Sequence, residues 1–163
     1  MLFRRLGVVG LILAVLVVSI GLSSPVQAAT DRVIYGDALG SGVQDWSWNT
    51  TVNAANASPV QAGTHSLAVT YTAAWAGLYL HLDSAQNTAG YDRIRFYVRG
   101  GSTTAQMRFV VDGTQAGATI SAPSGSWTLV ERTLGSLGAP ATFHKLVPLP
   151  PQVHLKPFTI CHK

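Results

Sequence analysis

The sequence is poor in two residue types that many secreted proteins and enzymes use. Its only cysteine, Cys161, leaves no partner for an intramolecular disulfide, so stability must come from a packed core or a bound ion. Its only glutamate is Glu131, and most of the six aspartates lie in turn-like segments. Glycoside hydrolysis needs a pair of carboxylates across a cleft, and no such pair stands out. We therefore expect no catalytic activity.

Lysine is absent before residue 145, and the excess positive charge behind the formal net charge of +4 lies at the two ends of the sequence. Arg4 and Arg5 lie in the first few residues, and all three lysines lie in the last 20. Between these ends six arginines face seven acidic residues. A nucleic-acid-binding domain needs a basic surface on its folded part. We expect no nucleic-acid partner.

The N-terminus has the pattern of a secretory signal peptide over residues 1–28. Two arginines precede an uncharged, mostly apolar run from Leu6 to Leu22, and Val26 and Ala28 fit the small-residue positions of a cleavage site. The alternative is an uncleaved membrane anchor, because this run is near the lower length limit for crossing a bilayer. With cleavage, we expect a secreted monomer that has no membrane contact.

The remaining chain alternates apolar and polar residues in short runs that are separated by glycine, serine or asparagine. This period of two is typical of half-buried antiparallel strands, and no amphipathic helix follows the signal. We predict an all-β fold, an antiparallel sandwich of two sheets. The predicted strands are Val33–Tyr35, Trp46–Val52, Ser66–Tyr71, Leu78–Leu82, Arg93–Arg99, Gln106–Val111, Ala118–Ile120 and Trp127–Arg132.

Seven segments carry a resemblance to a known family through their order and spacing. They are Asp45–Trp48, Ser58–Val60, Gly63–Val69, Trp75–Leu80, Tyr91–Gly101, Ser126–Thr128 and Leu134–Gly138. Together they resemble the jelly-roll, galactose-binding-like carbohydrate-binding modules of secreted bacterial proteins, over about Val33 to Phe143, and we predict one such domain at residues 29–143. The resemblance implies a non-catalytic module that binds a polysaccharide or cell-wall glycan. The alternative is a structural or adhesion domain of the same fold, without a glycan ligand.

Modules of this kind bind sugars with aromatic rings and neighbouring polar groups. Tyr79 and Tyr97 are expected to point outward, because the residues on either side of each are apolar and should face the core. His81 and Arg108 are expected to point outward for the same reason, and they could form hydrogen bonds with sugar hydroxyls or uronate carboxylates. Trp127 is expected in the core. The candidate binding residues are Trp46, Trp48, Trp75, Tyr79, Tyr97, Arg95 and Arg99.

The resemblance also implies a structural calcium ion, for which Asp37 is the candidate ligand. Calcium takes six to eight oxygen ligands. The acidic residues that the last strand of such modules supplies are absent here. We therefore expect no cofactor, and no formed calcium site in this chain.

The composition changes abruptly at His144. Residues 144–163 contain every lysine, half of the prolines and three of the five histidines, but none of the 16 glycines. This segment does not resemble the terminal strands of the family. We interpret it as a frameshifted or truncated end; the alternative is a naturally disordered, proline-rich tail. A missing terminal strand would leave an unpaired sheet edge.

Overall fold

The computed structural model describes residues 30–114, 116–149 and 153–162. The predicted signal peptide lies outside these residues. In the described part of the chain, no helix is long and apolar enough to span a membrane. The strands are β1 (Arg32–Tyr35), β2 (Val43–Asp45), β3 (Thr50–Asn56), β4 (Ser66–Tyr71), β5 (Leu80–Asn87), β6 (Tyr91–Gly100), β7 (Ala105–Val111), β8 (Ala118–Ala122), β9 (Thr128–Thr133), β10 (Thr142–Leu149) and β11 (Val153–His162).

These strands form two antiparallel sheets. The first sheet has the order β3-β4-β11-β6-β9, and β1 pairs with β11 beside it. The second sheet has the order β2-β5-β10-β7-β8. The predicted all-β architecture is confirmed.

The core lies between the two sheets and is built from the apolar residues of each alternation. On β6, Ile94, Phe96 and Val98 are buried. The Phe96 ring stacks on the ring of Phe109 from β7, with 5.5 Å between their centroids, and so joins the two sheets. Burial of such a side chain stabilises the fold by roughly 1.5–3 kcal/mol. The period-two pattern therefore determines which face of each strand meets the other sheet.

The predicted strand Trp46–Val52 is wrong in its extent, because the chain turns within it. β2 ends at Asp45 and β3 begins at Thr50, in the other sheet. Between them Asn49 has a φ of 49°, a left-handed conformation that asparagine tolerates better than most residues. Trp127, expected in the core, is only partly buried and precedes β9.

The end of the chain differs most from expectation. The sequence predicts a disordered or frameshifted tail from His144, whereas residues 142–149 form β10 and residues 153–162 form β11. Both strands are internal to their sheets: β10 lies between β5 and β7, and β11 lies between β4 and β6. Pro148 sits in β10 even though it has no N–H to donate. The sandwich thus extends beyond residue 143, and the frameshift stays a hypothesis.

Tyr35 ties the first strand to the edge of the first sheet. Its side chain is fully buried, and its hydroxyl donates a hydrogen bond to the carbonyl oxygen of Ala54 on β3 at 2.8 Å. Burial, and then the negative charge of Asp37, raise the pKa of Tyr35 to about 12. The folded protein therefore keeps this proton at a pH where the unfolded chain, near its ordinary value of 10.0, has lost it.

Tyr35→Phe is expected to lower the free energy of unfolding at neutral pH by about 1 kcal/mol, since the buried hydrogen bond is lost. The parent protein should lose stability as the pH rises from 10 to 12, and the variant should lose less over that range. Urea unfolding at several pH values measures both. Tyr71, whose pKa is also raised by burial, is present in both proteins, so its contribution to the pH dependence of stability cancels in the comparison. Parallel pH profiles would contradict the role given to Tyr35.

Candidate functional site

Five ring-bearing side chains gather on the outer face and edge of the second sheet. We call Trp46, Trp48, Tyr79, His81 and His144 the aromatic cluster. The two tryptophans lie in the segment between β2 and β3, and backbone hydrogen bonds hold that segment against residues 77–79, which directly precede β5. The N–H of Trp46 donates to the Tyr79 carbonyl at 2.8 Å, and the N–H of Trp48 donates to the Gly77 carbonyl at 3.1 Å.

Tyr79 is the centre of the cluster. Its ring meets Trp46 edge-on at 5.7 Å and Trp48 edge-on at 6.4 Å, measured between ring centroids. The Trp46 indole also stacks on the His81 imidazole, with centroids 3.8 Å apart and planes inclined by 10°. His81 in turn stacks on His144 at 6.3 Å. The rings thus form one continuous surface rather than separate exposed residues.

Hydrogen bonds fix the orientation of Trp46. Its indole N–H donates to Gln44 Oε1 at 2.8 Å, and Gln44 Nε2 donates to Asp83 Oδ1 at 2.7 Å. One face of the indole is covered by His81, yet Trp46 as a whole is 51% exposed. An aromatic ring held in this way loses little conformational entropy when a ligand contacts it.

Trp48 is held by the loop that precedes β5. Its indole N–H donates to the carbonyl oxygen of Trp75. The far edge of its ring lies directly over Gly77, where an added Cβ would come within 2.5 Å of it. Trp48 nevertheless remains 40% exposed. The glycine therefore leaves the space that this ring position requires.

Beside the cluster lies an open groove of about 400 Å³ on the outer face of β7 and β10. Val110 and Val147 are opposite each other in the register of these strands and form its apolar floor. Both valines are nearly fully buried although they are on the outer face. The complete lining is Trp48, Tyr79, Arg108, Val110, Gly113, Thr114, Lys145 and Val147.

The structure separates six of the seven predicted binding residues into two groups. Trp46, Trp48 and Tyr79 come together in the aromatic cluster, and Trp48 and Tyr79 also line the groove. Arg95, Tyr97 and Arg99 lie on the outer face of β6, in the opposite sheet.

Trp75 is 91% exposed and has a φ of 60°. It contacts Trp48 through its backbone, and its side chain is not part of the groove lining. Its role in binding stays a prediction.

Asp37, the candidate calcium ligand, has a structural role. Its Oδ1 accepts hydrogen bonds from the backbone N–H groups of Thr64 and His65, at 2.8 and 2.9 Å, just before β4 begins. Within residues 30–114, 116–149 and 153–162, no group of three or more histidine, cysteine, aspartate or glutamate side chains could hold a metal ion.

Sequence reasoning missed Lys145 and Val147, because both were assigned to the tail. An irregularity in β10 between Phe143 and Lys145 shifts the register and breaks the alternation that would have revealed the strand. After it, Lys145 and Val147 share the outer face while Leu146 is buried. After the irregularity only Lys145 and Val147 continue the alternation, and two outward-facing residues are too few to predict a strand.

No family model matches the chain, and no curated protein matches its sequence. Its structure is similar to that of a family 29 carbohydrate-binding module, with a TM-score of 0.57, 13% sequence identity, and coverage of 80% of this chain and 87% of the module. The chain has the fold of a carbohydrate-binding module. This finding supports, at the level of fold, the family that the sequence resembles.

Two further structures are variants of such a module in complex with sugars. One is complexed with mannohexaose and has a TM-score of 0.57 at 14% identity, covering 81% of this chain and 91% of the module. The other is complexed with cellulohexaose, also with a TM-score of 0.57 and 14% identity, covering 80% of this chain and 89% of the module. At this identity the similarity concerns the fold.

Proposed function

We propose that this protein is a secreted, non-catalytic module that binds polysaccharide in the groove of the second sheet. The observation that carries the proposal is the aromatic cluster, whose exposed rings border a groove with an apolar floor. The family 29 modules of the same fold, complexed with mannohexaose and cellulohexaose, support a polysaccharide ligand. Export rests on the signal-like pattern of residues 1–28.

The groove suits a pyranose chain for physical reasons. A sugar ring presents apolar C–H faces, which lose water favourably against indole and phenol rings, while its hydroxyls meet polar groups at the rim. Tyr79 and Trp48 supply rings, and Lys145, Arg108 and Thr114 supply polar groups. Binding then consists of stacking and hydrogen bonding, without a chemical step.

The acids around the cluster are engaged in holding the structure. Asp45 accepts hydrogen bonds from Ser47, and Asp83 accepts one from Gln44. Asp112 accepts one from the N–H of His144. None of these three lines the groove. This arrangement supports a binding role over hydrolysis, which needs carboxylates placed across the bound sugar.

Titration with cellohexaose, mannohexaose and soluble polysaccharides tests the proposal through tryptophan fluorescence. A ligand seated in the groove should shift or quench the emission, because the Trp48 ring would pass from water into a sugar contact. An emission spectrum that no saccharide changes would contradict glycan binding and favour the structural or adhesion role. Release of reducing sugar during the titration would contradict the absence of catalysis.

Gly77→Ala provides a test of ring position. The added methyl group would overlap the Trp48 ring and displace it, without removing any aromatic side chain. We expect glycan affinity to fall by roughly tenfold, about 1.4 kcal/mol, because stacking depends on how the ring is placed. Unfolding in urea should show a native-like transition. Unchanged affinity in the folded variant would show that the position of Trp48 does not matter for binding.

A further inference from the structure

The chain between β4 and β5, here called the β4–β5 loop, carries Trp75 on an anchored backbone. At the start of the loop, the N–H of Thr72 donates to the carbonyl oxygen of Asn49 at 2.8 Å. After Trp75, the backbones of Gly77 and Trp48 exchange two hydrogen bonds of 3.1 Å. The loop is therefore attached on both sides of Trp75 to the segment that leads from β2 to β3.

Packing within the fold does not explain a tryptophan at this position. Trp75 is 91% exposed, the highest value of any large hydrophobic residue in the described part of the chain. An indole is a large and mostly apolar group, which gains free energy when its surface leaves water. Because so little of Trp75 is covered, its ring contributes almost nothing to the core. The ring is available for a contact with a ligand.

The backbone of Trp75 is also strained. Its φ of 60° lies in the left-handed region, where the Cβ of a bulky residue crowds its own backbone. Glycine or asparagine would adopt this conformation more easily. Residues that are held in such conformations concentrate at ligand-binding and catalytic sites. The strain and the exposure therefore point to the same conclusion, that this indole serves binding rather than stability.

Trp75 lies next to the groove at the position of Trp48. The carbonyl oxygen of Trp75 accepts the hydrogen bond of the Trp48 indole N–H, and the Trp48 side chain belongs to the groove lining. The groove has a volume of about 400 Å³, which is near the lower end of the range for sites that enclose a single drug-sized molecule. A polysaccharide chain must therefore continue outside it. A chain that leaves the groove past Trp48 meets the β4–β5 loop.

We propose that Trp75 forms a second sugar-binding subsite, outside the groove, for the units of the polysaccharide that extend past Trp48. This inference rests on the proposed glycan binding and adds a subsite to it. The apolar C–H face of a sugar ring covers the exposed indole, and both surfaces lose water. Since the backbone beneath Trp75 is already fixed, the contact costs little additional ordering of the loop.

The length of the saccharide tests the inference. Cellotriose and cellohexaose form one pair of probes, and mannotriose and mannohexaose form the other; isothermal titration measures the affinity of each. In the pair that binds, the hexasaccharide should bind at least tenfold more tightly than the trisaccharide, because only the longer chain reaches Trp75 from the groove. Tyr79→Ala should weaken the binding of both lengths, because Tyr79 lines the groove itself.

Trp75→Asn removes the ring and keeps a residue that tolerates the left-handed backbone. It should weaken the binding of the hexasaccharide about tenfold and leave the affinity for the trisaccharide within about twofold. Trp75→Phe is the matched control, since it keeps an aromatic ring, and it should bind the hexasaccharide within about threefold of the parent. Urea unfolding of Trp75→Asn should show a midpoint at least as high as that of the parent, because the ring contributes no buried surface.

Three results would overturn the subsite while glycan binding stands. The first is equal affinity of the parent for the two lengths. The second is an equal loss for both lengths in Trp75→Asn, which would mean that the variant acts by displacing Trp48. The third is a lowered unfolding midpoint in Trp75→Asn, which would make the indole a structural element. If no saccharide of either length bound to the parent protein, the proposed function itself would fail.

Discussion

Alanine in place of Tyr79 is expected to weaken glycan binding about thirtyfold. Tyr79 lines the groove and contacts the rings of Trp46 and Trp48, so its loss removes one stacking surface and the support of two others. Truncation of a central aromatic residue at a binding surface typically costs ~2 kcal/mol or more, which corresponds to about thirtyfold in affinity. Isothermal titration with the tightest-binding hexasaccharide measures the change directly.

Tyr97→Ala is the matched control for this variant. Tyr97 is likewise a half-buried, outward-facing tyrosine, but it lies on β6 of the opposite sheet, whereas Tyr79 directly precedes β5. Its replacement should leave the affinity within about twofold of the parent, because surface changes away from a site usually stay within ~0.5 kcal/mol. The reverse result, with loss in Tyr97→Ala and none in Tyr79→Ala, would place the glycan on the first sheet.

A chain that ends at Leu149 is expected not to fold cooperatively. It lacks β11, which pairs with β6 along nearly its whole length on one side and with β4 and β1 on the other. Without that strand, β1, β4 and β6 each lose a row of backbone hydrogen bonds, and the first sheet separates into β3-β4, β6-β9 and a detached β1. This exceeds what a fold stabilised by only 5–15 kcal/mol withstands. Circular dichroism during heating and urea titration measures the transition.

A chain that lacks only Lys163 is the control, because it keeps all of β11. It should unfold at the midpoint of the parent protein. If the chain ending at Leu149 also kept that midpoint, the last residues would contribute nothing to the fold, and the tail predicted from the sequence would be correct. Sequencing the gene beyond codon 144 tests the frameshift hypothesis separately, by showing whether another frame encodes a strand that ends in two acids.

The strands before the predicted tail could be predicted from the sequence, because each of them faces the core with one side only. On β4, for example, the prediction has the bounds of the strand in the structure. On β6 the apolar Ile94, Phe96 and Val98 are buried in strict alternation with charged or aromatic neighbours. At Asn49 the chain passes from one sheet to the other. The alternation of apolar and polar residues continues across this turn, so the pattern alone did not show that one strand ends and another begins there.

The site was predictable in its residue types but not in its position. Exposed tryptophan and tyrosine suggested a binding surface, and Trp46, Trp48 and Tyr79 do meet. The assignment of faces to sheets depends on strand order, which no local pattern encodes, so Tyr97 seemed equivalent to Tyr79. The groove floor depends on β10, a strand that its register irregularity and composition concealed.

The place of β11 in the first sheet has a consequence for how the protein is made. Arg32, at the beginning of β1, pairs with Ile160, which lies 128 residues further along the chain. The centre of this sheet is therefore supplied by a segment that is synthesised after all the other strands of the sheet. Pairings between such distant residues are also slow to form, because a long loop must close before they contribute. During synthesis the sheet thus remains without its central strand until residues 153–162 emerge, and an interruption before that point leaves the sheet open in the middle.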